Sequence, residues 1–363
     1  MWRDTRHPEG GGSERYVERV AEGLVARGHE VTIVCPKHTD VPDRAERGGV
    51  RFIHKGNKYT VYLYGMLAVL TSRADVVIDV QNGLPFFSRL LTRAKVVVLL
   101  HHLHRQQWYS SFGRVLGGIG WWIESRLAPK VYRRCRYITV SEHTRAELAT
   151  YGVDPQRVTV VPNGLEPALP TAVGQDPEPL LVAVSRLVPH KRLEHAIDLV
   201  ARLRDRWPTL RLEIVGRGPW LEPLGAHIAE RGVEDRVRLR GWVDEREKHE
   251  ILARSWVHLC PSVKEGWGIV VMEAAQRGVP TVAYRSAGGV GESILDGRTG
   301  LLADDNFDEF VAHVERLLSD PALRAAMAEA GRAHASGYDW ERSVEAFAAE
   351  ITAGTPARVR AQR

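Results

Sequence analysis

Short apolar runs recur along the chain with helix-length stretches between them, and this alternation restricts the fold more than any other feature. In the first half the runs are 31–35 (VTIVC), 75–80 (DVVIDV), 95–100 (KVVVLL), 137–140 and 158–161; in the second they are 180–184 (LLVAV), 211–215 (RLEIV), 257–260 and 281–283. Runs of Val, Ile and Leu without polar alternation are apolar on both faces, as strands are when helices cover both sides of a parallel sheet. Strand and helix in alternation build right-handed βαβ units, so the chain reads as α/β with doubly wound sheets. Its 363 residues exceed what one core usually holds, roughly 250–300 residues. The pattern restarts at 180 after a polar, proline-bearing stretch at 171–179, the best linker candidate. Two domains follow, 1–170 and 171–340.

The first domain opens on glycines. Residues 1–13 are polar, Ser13 is placed to cap a helix over 14–27 with Tyr16, Val17, Val20, Leu24 and Val25 on its apolar face, and Gly28 ends it. A glycine turn that presents amides to a ligand normally follows a strand. No strand precedes this one, so either the chain starts downstream of that strand, the reading adopted here, or the sheet lacks a central member. Farther on, the 95–100 run delivers His101, His102 and His104 at its C-terminal end, where open parallel sheets bind ligands. His101, nearest the strand, is the candidate to reach a sugar hydroxyl or a phosphate, although a histidine that merely closes a loop fits as well. Residues 108–136 interleave Trp108, Tyr109, Phe112, Trp121 and Trp122 with Arg114, Arg126, Lys130, Arg133 and Arg134. That describes a surface helix able to lie on anionic lipid, or an ordinary helix burying one face.

The richest chemistry lies at 264–273, KEGWGIVVME. If Gly266-Trp267-Gly268 opens a helix near Ile269, free amides and the positive helix end face whatever sits above them, a seat for a diphosphate. Glu273, one turn in, would accept from the two hydroxyls of a ribose, and Glu265 stands where a transferred sugar would sit. An exposed loop before a core helix with two solvated glutamates explains the spacing alone equally well.

Composition narrows the class. Hydrophobic residues at 44% and charged residues at 26% suit a globular enzyme, and the net charge of +5 is not concentrated in one aromatic-interleaved block of the kind that nucleic-acid binders carry. Cys35, Cys135 and Cys260 are odd in number, widely spaced and set in apolar runs, which points to buried free thiols in a reducing cytoplasm. No run approaches ~18 apolar residues and the N-terminus has no apolar signal region, so the chain is expected to stay inside the cell.

Taken together, Gly11-Gly12-Ser13-Glu14-Arg15 before a helix, Asn163-Gly164 after a strand, Arg186 with Lys191 in SRLVPHK, and Glu265 with Glu273 in EGWGIVVME resemble the retaining glycosyltransferases of family 4 over nearly the whole chain. The Arg–Lys pair and the two glutamates are the specific part. The resemblance implies the GT-B fold, two Rossmann-like domains facing each other across a cleft. The first domain takes the acceptor and is completed by a C-terminal helix within 341–363; the second holds the nucleotide sugar. It also implies Arg186 and Lys191 on the diphosphate, Glu273 on the ribose and Glu265 on the donor sugar. Gly268, Ile269 and Val270 would offer backbone amides, His101 would lie near the transferred sugar, and Gly11 and Gly12 would let the backbone approach the diphosphate. Asn163 is carried over as a substrate-binding position. The departure from the pattern is the short N-terminus.

Glycosyl transfer builds an oxocarbenium-like centre and frees a diphosphate whose charge must be met. Arg186 in bidentate fashion and Lys191 as a point charge would meet it without a metal or other cofactor. No Asp-x-Asp pair stands out, and Asp304-Asp305 reads as a helix cap. The activity expected is metal-independent, retaining transfer from a UDP- or GDP-sugar to a lipid-linked, glycan or small-molecule acceptor, in the cytoplasm and at the inner face of the membrane. The alternatives are a non-catalytic sugar-nucleotide-binding subunit and a GT-B nucleotide-sugar epimerase.

Overall fold

A computed structural model describes residues 1–7, 10–38 and 41–353. The chain divides into two compact units: Leu165–Asp339 is one, and Met1–Gly164 with the segment from Trp340 onward is the other. The first unit contains α1 (Gly12–Ala26), β1 (Thr32–Cys35), β2 (Arg44–Arg47), β3 (Val50–His54), α2 (Val61–Thr71), β4 (Val76–Val80) and β5 (Lys95–Leu100). It continues with α3 (Arg105–Trp122), α4 (Ala128–Val131), β6 (Arg136–Thr139), α5 (Glu142–Thr150) and β7 (Val158–Val160). Strands β4-β5-β6-β7 form one parallel ladder, and β1-β3-β2 a second in which the β2–β3 hairpin is antiparallel. Among the described residues no strand joins the two ladders. The α-ammonium of Met1, buried and pushed to a lower pKa by that burial, donates to Val34 O of β1 and feels the charge of Asp79 in β4.

Asp4, fully buried, ties this region together: its carboxylate meets His38 Nε2 at 2.9 Å, His54 Nε2 at 3.2 Å and the Arg47 guanidinium at 2.8 Å. Burial alone would raise its pKa; the two imidazoles and Arg47 outweigh that and hold it below the ordinary carboxylate value. Donor atoms of Asp4, Cys35 and His54 lie within 4.8 Å of one another, but the cation already on that carboxylate is a guanidinium.

The second unit runs β8 (Leu180–Val184), α6 (Leu193–Leu203), β9 (Arg211–Val215), α7 (Leu221–Arg231), β10 (Val237–Gly241), α8 (Glu245–Arg254) and β11 (Val257–Cys260). Then come α9 (Ile269–Gln276), β12 (Thr281–Tyr284), α10 (Val290–Ser293), β13 (Gly300–Ala303), α11 (Phe307–Ser319) and α12 (Pro321–Ala335). Its sheet is parallel throughout in the order β10-β9-β8-β11-β12-β13, with β8, β11, β12 and β13 buried on both faces as strands of a helix-covered sheet are. The chain winds outward from β8 to β10, then returns to the other side of β8 as β11, so the winding direction reverses between β8 and β11. Ligands of open α/β sheets bind beyond the strand ends at such a reversal.

The last helix, α13 (Trp340–Thr352), belongs to the first unit. Trp340 and Phe347 set their rings 6.0 and 6.4 Å from that of Tyr16 in α1, and Val344 fills the space over Gly23. Arg136 grips Glu350 with two nitrogens at 2.7 and 3.0 Å, and Lys95 Nζ donates to the carbonyls of Glu350 and Ile351 at 2.7 and 3.0 Å, a cation at the negative end of the helix.

Three local expectations are corrected. Gly11, not Ser13, is the N-cap of α1, because Glu14 at the third helical position reaches back to the Gly11 amide at 2.8 Å. The 171–179 stretch is no free linker: Asp176 accepts from Arg211 at 2.7 Å and its carbonyl from Trp256 Nε1 at 2.7 Å, laying the segment on the second unit. Asp304 and Asp305 pair with Arg285 and Arg192, while the cap of α11 is Asn306, which accepts from the amides of Asp308 and Glu309. The C-terminal residues 354–363, read from sequence as the end of the closing helix and its tail, lie outside the described residues.

Candidate active site

In the second unit Arg186 and Lys191 lie on the loop that leaves β8, and Glu265 on the loop that leaves β11, the two strands that flank the reversal. These loops are joined: Val263 N donates to His190 O at 2.8 Å, and the Lys191 ammonium lies against Glu265 Oε1. Glu265 also accepts from Ser262 Oγ at 2.7 Å, and its amide donates to Ala287 O at 2.7 Å in the loop after β12. Burial raises the Glu265 pKa, but Lys191 and the Ser262 hydroxyl pull harder and hold the carboxyl below its usual range. The carboxylate is therefore ionised at neutral pH. Cys260, 3.7 Å from the same carboxylate, has its thiol pushed up to about 12 by burial and stays protonated.

The β8 and β9 loops touch without room for a side chain. A Cβ on Gly216, whose φ is +141°, would meet Ser185 O at 1.8 Å, so the two backbones approach there only because residue 216 is glycine. Arg186 is exposed at the rim of this contact, between Ser185 and Leu187, whose amides are bonded to Val215 O and Arg217 O.

Helix α9 begins after Gly268, which sits in the left-handed region at φ +92° and turns the chain from the loop into Ile269. The first amides of a helix have no partner within it, so those of Ile269 and Val270 mark its electropositive end, with Glu265 on the loop just before. Trp267 is buried and anchors the turn: its ring centroid lies 5.1 Å from that of Tyr338, and its carbonyl accepts from Ser293 Oγ at 2.7 Å. Glu273 lies one turn into α9, 5% exposed, and its carboxylate meets the Lys248 ammonium of α8 at 2.9 Å. Lys248 also reaches Glu245 at 3.0 Å. One acid thus holds the lysine from its own helix while the lysine holds Glu273.

In the first unit, His101 sits at the end of β5, 5% exposed, with the Tyr16 ring edge-on at 5.2 Å. Neither ring nitrogen has a hydrogen-bond partner among the described residues, and burial lowers its pKa to about 4, so the ring is neutral at physiological pH. Asn163 is buried at the end of β7, just past Val161, whose carbonyl accepts from Tyr16 Oη at 3.1 Å. The Gly11 amide is taken by Glu14, whose other partners are Arg3 Nε at 3.0 Å and Ser13 Oγ at 2.9 Å; burial raises the Glu14 pKa, but these contacts outweigh it and hold the carboxyl below its usual range. Glu14 therefore shapes the glycine loop, and Gly12 begins α1 as its first helical residue.

The structure thus brings Lys191 and Glu265 into contact on adjoining loops, puts Arg186 on the Lys191 loop and Glu273 on the helix that follows Glu265, and places His101, Asn163, Gly11 and Gly12 in the other unit. Sequence reading missed Lys248, Ser262 and Glu14. The signal for Glu14 was present as the acid three positions after a cap. That for Lys248 was not, because the pair spans two helices 25 residues apart in the chain.

Residues 10–169 match the family model described as Glycosyltransferase Family 4, and residues 171–334 the one described as Glycosyl transferases group 1. The GDP-mannose-dependent alpha-(1-6)-phosphatidylinositol monomannoside mannosyltransferase of Mycolicibacterium smegmatis is 31% identical over 96% of this chain and 96% of its own length. A glycogen synthase of Mycobacterium tuberculosis is 26% identical over 93% of this chain and 90% of its own. Among solved structures, WaaG, a glycosyltransferase involved in lipopolysaccharide biosynthesis, superposes with a TM-score of 0.76 at 19% identity, over 95% of this chain and 97% of its own. Anabaena HepE in complex with UDP and glucose gives 0.74 at 18%, over 94% and 96%. With both units matched in order and a full-length relative above 30% identity, the chain belongs to the family 4, group 1 glycosyltransferases of GT-B fold and acts on sugar-nucleotide donors.

Proposed function

We propose that this transferase retains the anomeric configuration of its donor, needs no metal, and moves a sugar from a GDP- or UDP-sugar to a lipid-linked, glycan or small-molecule acceptor. The carrying observation is the meeting of the β8 and β11 loops, with Lys191 on Glu265 and α9 starting beside them. A diphosphate seated there faces a lysine already balanced by a glutamate. The excess positive charge then comes from Arg186 and the α9 amides, which stabilise the leaving group as charge develops on it. Glu265 lies where the donor sugar hydroxyls would be read, and Glu273, steadied by Lys248, accepts from the ribose. In a front-face route the departing phosphate oxygen takes the acceptor proton, so no protein carboxylate has to serve as nucleophile. The first unit takes the acceptor, with His101 near the transferred sugar. Its neutral ring has a nitrogen with a proton to give to a sugar oxygen.

The relative from Mycolicibacterium smegmatis is named for GDP-mannose and a phosphatidylinositol mannoside, which favours a GDP-sugar donor and a lipid-linked acceptor. Among the described residues no helix is long and apolar enough to cross a membrane. Work at the inner face of the cell membrane, from the cytoplasm, then rests on peripheral contact, for which the aromatic and basic segment 108–136 is suited. The test is a thermal-shift screen against UDP-, GDP-, ADP- and TDP-sugars, followed by donor turnover with and without EDTA and NMR of the product anomer. A shift by one sugar nucleotide, turnover that survives EDTA and a retained anomer support the proposal; an inverted anomer or EDTA-abolished turnover rejects the corresponding part.

A further inference from the structure

Most of the large apolar side chains that stand exposed come from two helices of the first unit. On α2, Leu63, Tyr64, Leu67 and Leu70 are 67%, 41%, 55% and 58% exposed, at the spacing of one helical face, with Tyr59 at 64% just before. On α3, Tyr109, Phe112, Val115, Leu116, Ile119 and Trp122 are between 41% and 76% exposed. Helix α2 has the composition of a fully buried helix but is covered on one side alone, where Val61 and Gly65 are buried and Phe86 lies against Gly65 and Tyr62. Helix α3 breaks at Gly113 (φ +70°), so its second segment folds back and its Gly117 and Gly120 close on Trp108. Trp108 in turn covers Gly83. The two helices therefore pack against the same short loop, 83–86, one through Phe86 and the other through Trp108 over Gly83.

The charge in and around them is mostly basic, with the exposed Asp75 just beyond Arg73 an exception. No Asp or Glu occurs in 47–74 or in 80–123, whereas Lys55, Lys58, Arg73, Arg89, Arg93, Arg105 and Arg114 do, all of them exposed. Of the other acids next to these stretches, Asp79 is buried and accepts from Tyr132 Oη, and Glu124 is buried and committed to Trp108 Nε1 at 2.7 Å and His104 Nδ1 at 2.9 Å. A second copy of the chain on this face would set basic rim against basic rim; an anionic lipid surface supplies the missing negative charge and takes the apolar side chains.

We propose that α2 and α3 together form an anionic-membrane docking face, with α2 inserting Leu63, Leu67 and Leu70 beside Val115 and Ile119 of α3. This deepens the peripheral placement suggested above for segment 108–136 by adding a helix outside it, and stands apart from donor binding in the other unit. The experiment is co-sedimentation of the full chain with phosphatidylcholine vesicles and with vesicles containing phosphatidylglycerol, at low and high salt. Wild type is expected to bind only the anionic vesicles and to be released by salt. The triple variant Leu63→Gln/Leu67→Gln/Leu70→Gln and the pair Val115→Gln/Ile119→Gln should each lose tenfold or more in partitioning, with an unchanged thermal shift by the best nucleotide. If the triple variant does not fold, Leu67→Gln replaces it, and Leu67→Trp should show a blue-shifted emission on anionic vesicles. Wild-type binding retained by the α2 variants overturns the role of α2 while leaving contact through α3 standing. Wild type that stays in the supernatant overturns both, and a concentration-dependent dimer that only the α2 variants dissolve overturns the lipid role of α2.

Discussion

Lys248 and Glu273 are expected to behave as a unit. Lys248→Met removes the ammonium that lies 2.9 Å from a nearly buried carboxylate, and hydrogen bonds to charged groups are worth about 1.5–3 kcal/mol. Affinity for the donor nucleotide, read by calorimetry with GDP and UDP, should fall roughly ten- to a hundredfold on that magnitude, and the melting temperature should drop. Adding Glu273→Gln should restore the melting temperature without restoring affinity; recovery of both would mean that Glu273 holds no nucleotide. Acid exposes a second group of residues. His101 and His258 are pushed down to about 4 by burial, whereas an unfolded chain protonates histidine near 6.5. Between those values the unfolded state binds more protons, so their contribution is complete above about pH 6.5 and drains as pH falls toward 4. Asp4, Glu14 and Glu265, held below ordinary carboxylates, lose theirs farther down, as pH falls through their own lowered values. Melts taken from pH 7 to 4 should show a steadily falling transition, and His258→Leu should flatten its upper part; a flat profile in wild type would contradict the burial of both rings.

At the scale of elements, two effects compete in Gly23→Ala. Alanine favours a helix over glycine by about 1 kcal/mol, but a Cβ at 23 would lie 2.4 Å from Val344 Cγ2, and overpacking costs typically 1–3 kcal/mol. The substitution should therefore destabilise by up to about 2 kcal/mol on those magnitudes, seen as a lower denaturant midpoint; a rise would mean that α13 yields easily. The same competition between local and distant causes explains what the sequence disclosed. The runs KVVVLL and LLVAV are legible as strands because burial on both faces leaves no polar position, and Ser141 is legible as a cap because its partner, the Thr144 amide, is local. Strand β2, RAER, is half exposed and forms only because it pairs with β3 around Gly48 and Gly49, so its composition carries no strand signal. The break in α3 depends on Trp108 seeking two glycines beyond Gly113, a tertiary preference that helical spacing hides. Of the site, the loops and their cations were readable from motif; the ties that hold them, Ser262 on Glu265 and Lys248 on Glu273, join residues whose pairing only the folded chain defines.

For the whole molecule, the sheet of the second unit is complete within Leu165–Asp339, whereas the first unit recruits α13 from beyond it. Deleting residues 340–363 should leave Tyr16 and the Gly23 face of α1 open and Arg136 and Lys95 without their helix. The expected result is aggregation or loss of amide-exchange protection in β4 to β7, with protection in β8 to β13 retained. Equal protection in both sheets after the deletion would show that α13 is dispensable. Assignment of α13 to the first unit also has a meaning for biosynthesis. The ribosome makes residues 1–164, then all of 165–339, before the helix that finishes the earlier part emerges. At about 5–20 residues per second that interval is on the order of ten seconds or longer. Throughout it the nascent N-terminal half carries an uncovered aromatic surface, so its maturation waits on the synthesis of α13 and on whatever shields that surface until then.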